Sequence, residues 1–235
     1  MNLLRGDGPL LKVGHRGAAA LAPANTVAAV EAALEHGVDF VELDVFAGPG
    51  RRLVLGHSLK ELGAEPLALD EMLSFLAEHA PKTGLLADLK LAGREEELVD
   101  ALRTHGLVSR TVACTNNGGM LAKLRRLEPR IARSRTYPRG RVYLGRRRTS
   151  VPVAGPVLWT MKQALPYRVE RLAGEVGAAA MTLSRRVVTR AAVERCHELG
   201  VAVFVWTVNR RAAVERLDAL GVDGVISDDP RVFAS

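Results

Sequence analysis

His36-Gly37-Val38-Asp39-Phe40 marks a change of period in the chain. Before it, Thr26–His36 repeats apolar residues at helical spacing, with Asn25 or Thr26 placed to cap the start and Gly37 to end it. After it, Asp39–Val45 reads as a strand. A helix closed by glycine and followed at once by an apolar run is how a helix feeds a parallel strand. The same punctuation recurs at His105-Gly106-Leu107-Val108, Leu199-Gly200-Val201 and Leu220-Gly221-Val222. Outward from it, strand-like runs occupy Leu11–Gly14, Leu53–Gly56, Gly84–Leu89, Arg110–Cys114, Arg130–Arg135, Ala178–Leu183, Val201–Thr207 and Gly224–Ser227. Helical segments lie between most of them, at Leu69–His79, Glu95–His105, Met120–Leu127, Leu158–Ala173, Thr189–Leu199 and Arg211–Leu220.

Nine strand runs are one more than eight βα units need. The surplus is Leu53–Gly56, because the short link from Asp44, containing Gly48, Pro49 and Gly50, has no room for a crossover helix. That run must return as a hairpin beside the second strand. The other eight predict a (β/α)8 TIM barrel, one domain over residues 1–235, with a short hairpin extension after strand 2. A doubly wound open sheet is the alternative.

The 235 residues are 48% hydrophobic but only 4% aromatic, so the core must rest on Leu, Val and Ala. The net charge of +7 comes mostly from arginine and favours anionic partners. Ten arginines crowd residues 123–148, a solvated face or a docking surface for an acidic membrane. Tyr137 and Tyr143 among them are too few to argue for single-strand binding, and no nucleic-acid partner is expected. Cys114 and Cys196 stand apart and read as buried thiols of a reducing compartment. The first residues carry charges and no signal-peptide core, and no run approaches a membrane span, so the expected location is cytoplasmic.

Barrel chemistry sits at the C-terminal ends of strands. The first strand ends in Gly14-His15-Arg16-Gly17, a proton carrier beside a phosphate-matching guanidinium between glycines that allow close approach to a ligand. In Phe40–Val45, period two puts Glu42 and Asp44 on one face, pointing inward. Two acids so close in a half-buried site call for a hard divalent cation, or else for neutralisation by Arg16 and Lys90. The hairpin returns His57 beside Asp44, where it could pair with His15 in acid/base work. Asp88 and Lys90 share the next inward face, either as a third ligand with a phosphate contact or as a salt bridge. Trp206 stands near a strand end and could wall the pocket. Ser227-Asp228-Asp229-Pro230 could orient neighbours or cap the last turn.

With these residues, the chain resembles the glycerophosphodiester phosphodiesterases. The resemblance rests on HRG at 15–17, P-x-NT at 23–26, ELDV at 42–45, His57, D-x-K at 88–90, WTVN at 206–209 and GVDGVISDDP at 221–230. It implies a TIM barrel holding one divalent cation, Mg or Ca, that hydrolyses glycerophosphodiesters to glycerol 3-phosphate and an alcohol. It implies Glu42, Asp44 and Asp88 as metal ligands, His15 and His57 as the acid/base pair, Arg16 and Lys90 as phosphate contacts and Trp206 as a substrate contact. Four features depart from the family pattern. Ala24 replaces a usual Glu, Asp88 is one methylene shorter than the usual Glu, Ser58 replaces an Asp, and the family insertion after the second histidine shrinks to Ser58–Pro66. The resemblance therefore implies a pocket more open than is usual in the family. Hydrolysis of lysophospholipid or sphingolipid head groups, or a non-catalytic phosphate-ester binding barrel, are the competing readings.

Overall fold

A computed structural model describes residues 1–48, 50, 52–58, 62, 66–90, 92–138 and 151–234. Its strands are β1 (Leu11–His15), β2 (Phe40–Ala47), β3 (Leu53–Leu55), β4 (Gly84–Leu89), β5 (Thr111–Thr115), β6 (Ala132–Tyr137), β7 (Ala180–Ser184), β8 (Ala202–Trp206) and β9 (Gly224–Ser227). The helices are α1 (Val27–Glu35), α2 (Leu69–His79), α3 (Glu95–Thr104), α4 (Gly118–Leu127), α5 (Val151–Gly174), α6 (Arg190–Glu198) and α7 (Arg211–Leu220). β1, β2 and β4 to β9 pair in parallel, and β1 pairs with both β2 and β9. The sheet is therefore a closed eight-stranded barrel with helices between strands, which excludes the open doubly wound alternative. β3 lies antiparallel on β2, with Val45 opposite Leu55, as the short Gly-Pro-Gly link required.

Local chemistry explains the element ends. Thr26 Oγ1 accepts from Ala29 N and caps α1, so the cap is Thr26 and Asn25 is left for another task. Asn117 and Thr189 cap α4 and α6 in the same way. β6 begins two residues later than the pattern indicates, because Glu128 holds the preceding turn by accepting from the Arg130 guanidinium at 2.9 Å. α5 starts well before Leu158, its two internal prolines having masked the helical period.

The barrel interior is apolar below and polar above. Leu3, Val13, Phe40, Leu86, Phe204 and Ile226 fill the lower part. The rings of Phe40 and Phe204 meet edge to face at 6.3 Å. Each ring lies over a glycine on a neighbouring strand, Gly84 and Gly224, where a Cβ would collide with it. Cys114 and Cys196 are buried free thiols. Above this layer, on the same inward faces, stand the polar residues named from the sequence.

Candidate active site

Asp44 is the centre of the mouth and is 1% exposed. Its Oδ2 accepts from Asn25 Nδ2 at 3.1 Å and lies 2.9 Å from Arg16 Nε, while its Oδ1 lies 2.6 Å from Lys90 Nζ and 3.3 Å from His57 Nδ1. Asn25 Oδ1 in turn accepts the Asp44 backbone N–H at 3.0 Å. Burial alone would raise the Asp44 pKa, but His57, Lys90 and Arg16 together hold it well below the usual carboxylate range. Glu42, equally buried, has less support: the Arg16 backbone N–H donates to Oε2 at 2.8 Å, and His15 Nε2 stands 3.7 Å away. Burial and the Asp44 charge push the Glu42 pKa up. Asp88 pairs with Lys90. Burial would lower the Lys90 pKa, yet Asp88, Asp44 and Glu42 raise it, so the ammonium stays charged. Oxygens of Glu42, Asp44 and Asp88 lie within 4.8 Å of one another.

The first loop owes its shape to two residues with left-handed backbone, Arg16 (φ 53°) and Asn25 (φ 62°). Asn25 N donates to Arg16 O, so the two strained positions are tied together. The loop glycines also have a packing role. A Cβ on Gly17 would lie 2.5–2.8 Å from Ala29 of α1, and one on Gly14 would meet the Gly17 carbonyl and Ala33. Both admit the loop to α1.

His15 is oriented from the far end of the chain. Its Nδ1 lies 2.5 Å from Asp228 Oδ1, and Asn209 Nδ2 donates to Asp228 Oδ2 at 2.6 Å. Asn209 Oδ1 also accepts from Asp228 N and Ser227 Oγ, so the side chain is held at both ends. Burial lowers the His15 pKa, but Glu42 and Asp228 more than offset it and the net shift is upward. On the other side of the mouth, Ser184 neighbours Trp206 in register, and no ionisable side chain stands on the inward faces of β6, β7 or β8. Thr136 Oγ1 and Trp206 Nε1 are buried with no hydrogen-bond partner among the described residues. The mouth thus has a charged half on β1, β2 and β4 and a neutral, hydroxyl- and indole-lined half opposite.

A model of the glycerophosphoryl diester phosphodiesterase family matches residues 15–64 and 77–232. The chain belongs to that family. By membership it is a phosphoric diester hydrolase. A curated relative, the glycerophosphodiester phosphodiesterase of Caldanaerobacter subterraneus subsp. tengcongensis, is 25% identical, with 95% of this chain and 96% of the relative covered. Among solved structures, the fold is shared with glycerophosphodiester phosphodiesterase from Agrobacterium tumefaciens (TM-score 0.70, 20% identity, 96% and 99% of the two chains). It is shared too with an Oleispira antarctica phosphodiesterase in complex with the product sn-glycerol-3-phosphate (TM-score 0.76, 20% identity, 96% and 97%).

Within this family member, Asp88 reaches the carboxylate cluster despite its shorter side chain. Ala24 is exposed beside Asn25, and much of Ser58–Pro66 lies outside the described residues. Of the residues that shape the mouth, the sequence pattern missed Asn209, offered Asn25 only as a helix cap, and offered Asp228 as one of two acids that could orient neighbours or cap the last turn, of which it does the first. Their signals were present as P-x-NT, WTVN and ISDDP, but their partners lie across loops, beyond the reach of strand periodicity. The arginine run is divided. Arg130 pairs with Glu128, and Arg133 donates to the carbonyls of Val176, Gly177, Pro129 and Ile131. Arg135 is buried. Arg139 to Arg148, with Tyr143, lie outside the described residues.

Proposed function

We propose that this chain, as one catalytic domain, hydrolyses glycerophosphodiesters to glycerol 3-phosphate and an alcohol. The observation that carries the reading is the convergence of Glu42, Asp44 and Asp88 beside a histidine braced by Asp228. The sn-glycerol-3-phosphate held by the Oleispira relative supports the choice of product.

The carboxylates fit a divalent cation. Oxygens bound at about 2.0–2.6 Å to one ion stand up to about 5 Å apart, and the three acids meet that limit at 4.8 Å. An all-oxygen set favours Mg or Ca over softer metals. The bound ion would neutralise charge on the phosphoryl oxygens as it builds towards the transition state. Arg16 and Lys90, both ion-paired with Asp44, would hold the phosphate in register with the acids. His15, with Nδ1 turned to Asp228, keeps Nε2 towards Glu42 and the centre of the mouth. That nitrogen would take the proton from the water that attacks phosphorus. His57, its Nδ1 turned to Asp44, offers Nε2 to protonate the leaving oxygen. The indole N–H of Trp206 would find its acceptor in a substrate hydroxyl.

The test is turnover of glycerophosphocholine, followed as glycerol 3-phosphate release with Mg or Ca and again with EDTA. Activity restored by added metal supports the reading. Absence of turnover with every divalent metal, alongside tight binding of phosphate esters, would overturn it.

A further inference from the structure

Among the described residues, the exposed large apolar side chains are Met1, Val157, Trp159 and Tyr167, and three of the four lie on α5. Trp159 is 64% exposed, an uncommon position for an indole. α5 is also out of proportion to its neighbours. It has 24 residues where the other helices have 9–11, an excess of roughly 20 Å at 1.5 Å per residue. Burial locates the excess. Leu165, Val169 and Ala173 are buried on the barrel and Leu158 and Met161 pack partly against the same core, whereas Gly155, Pro156, Val157, Trp159 and Thr160 are exposed on the helix's outer side. Because α5 leaves parallel strand β6 and returns to β7, its N-terminal half stands at the strands' C-terminal ends. His15 and His57 open on that same face.

Charge is concentrated in the same stretch of the sequence. Residues 139–174 contain eight of the 33 basic and one of the 26 acidic residues, so the rest of the chain is balanced, 25 against 25. The whole net charge of +7 therefore belongs to this segment. Within it, Thr149 to Met161 carries no charge, with Arg146-Arg147-Arg148 before it and Lys162 after. An apolar stretch bracketed by cations matches the headgroup boundary of an acidic bilayer, where apolar side chains enter and cations meet lipid phosphates. A nucleic acid would be met by the cations alone and would leave Trp159 and Val157 without a role.

We infer that the N-terminal half of α5 is a docking element that seats the catalytic face on an anionic phospholipid surface. The inference goes beyond the proposed reaction and does not rest on it, since seating requires no turnover. The full chain is sedimented with phosphatidylcholine vesicles and with vesicles that also contain phosphatidylglycerol. Binding to the acidic vesicles alone, weakened by added salt, is expected. The double variant Val157→Ser/Trp159→Ser should reduce the bound fraction roughly tenfold, since it removes the apolar area entering the bilayer. Its hydrolysis of water-soluble glycerophosphocholine should match the parent's. On the parent protein, acidic vesicles should also protect tryptophan emission from acrylamide quenching, a reading that needs no variant. The inference is overturned by equal partition to both vesicle types or by a double variant that binds like the parent. A Trp159-dependent dimer on size exclusion, without vesicle binding, would overturn it as well.

Discussion

Asp228 does to His15 what a bound ligand cannot: it fixes which ring nitrogen faces the mouth. With Nδ1 held at 2.5 Å and Asp228 itself clamped by Asn209, Nε2 is the nitrogen left for chemistry. Asp228→Asn keeps the shape and removes the charge. We expect kcat to fall by about 10–100-fold, part of the ~10²–10⁴ that general acid–base catalysis contributes. The sign of the pH effect follows from the upward shift of His15, to which Asp228 contributes. Without that charge the His15 pKa drops, so the acidic limb of the kcat/KM profile should move to lower pH, and a limb that stays in place would count against the role. Glu42→Gln tests the metal site differently. Calorimetric Mg or Ca affinity should be lost, while in EDTA the thermal midpoint should be no lower than the parent's, because a buried carboxylate beside Asp44 is gone. Much of this chemistry was legible in the sequence, since period two alone put Glu42, Asp44, Asp88 and Lys90 on inward faces. For Asp228, offered as an orienting or capping acid, and Asn25, offered as a helix cap, the partners His15 and Asp44 were not legible, because they are met across loops that have no period.

Elements dock here by removing atoms as much as by adding them. Gly17, with φ +84° and Ala29 backbone where its Cβ would be, sets how closely the first loop lies on α1. Gly17→Ala should cost about 3 kcal/mol or more, from positive-φ strain plus overpacking. A chemical denaturation midpoint unchanged from the parent would refute that account. The sequence placed glycine at this turn but could not show its close approach to α1. Glu128 ties α3 to the β6 turn through Arg103 and Arg130. Its hydrogen bond from Arg130 is the main cause that lowers the pKa to about 2. A depressed carboxylate stabilises the fold above its unfolded pKa and loses that contribution as pH falls through the folded one. The melting-temperature gap between parent and Glu128→Gln should therefore be full at neutral pH and close between about pH 4.5 and 2. The helices were legible wherever caps and a 3.6 period agreed. α5 was read short because Pro156 broke the pattern without ending the helix.

At the scale of the whole molecule, the closed barrel keeps stability and chemistry at opposite ends. The strands' C-terminal ends hold buried like charges and strained loop residues, features that cost stability and persist where function needs them. The other end is closed by the N-terminal segment. Leu3 is 3% exposed within the interior cluster of Val13, Phe40 and Phe204. Arg5 N donates to Asp223 Oδ1 at 3.0 Å, while Asp223 Oδ2 accepts from Val203 N at 2.7 Å and pairs with His197 Nε2 at 2.8 Å. One buried carboxylate thus joins the N-terminal segment, α6 and β8 just before β9 begins. Nothing in the sequence pattern pointed to this plug, since two leucines before Arg5 have no period to reveal them. Leu3→Ala opens a cavity under the barrel floor and should cost about 2–4 kcal/mol. The mouth is built from strand ends and loops that do not touch Leu3, so kcat and metal affinity measured well below the melting point should match the parent's. A loss of activity in step with the loss of stability would mean that the two ends are coupled through the barrel interior. If the ends are separate, Leu3→Ala and Glu42→Gln should have opposite profiles, one unstable and active, the other stable and inert.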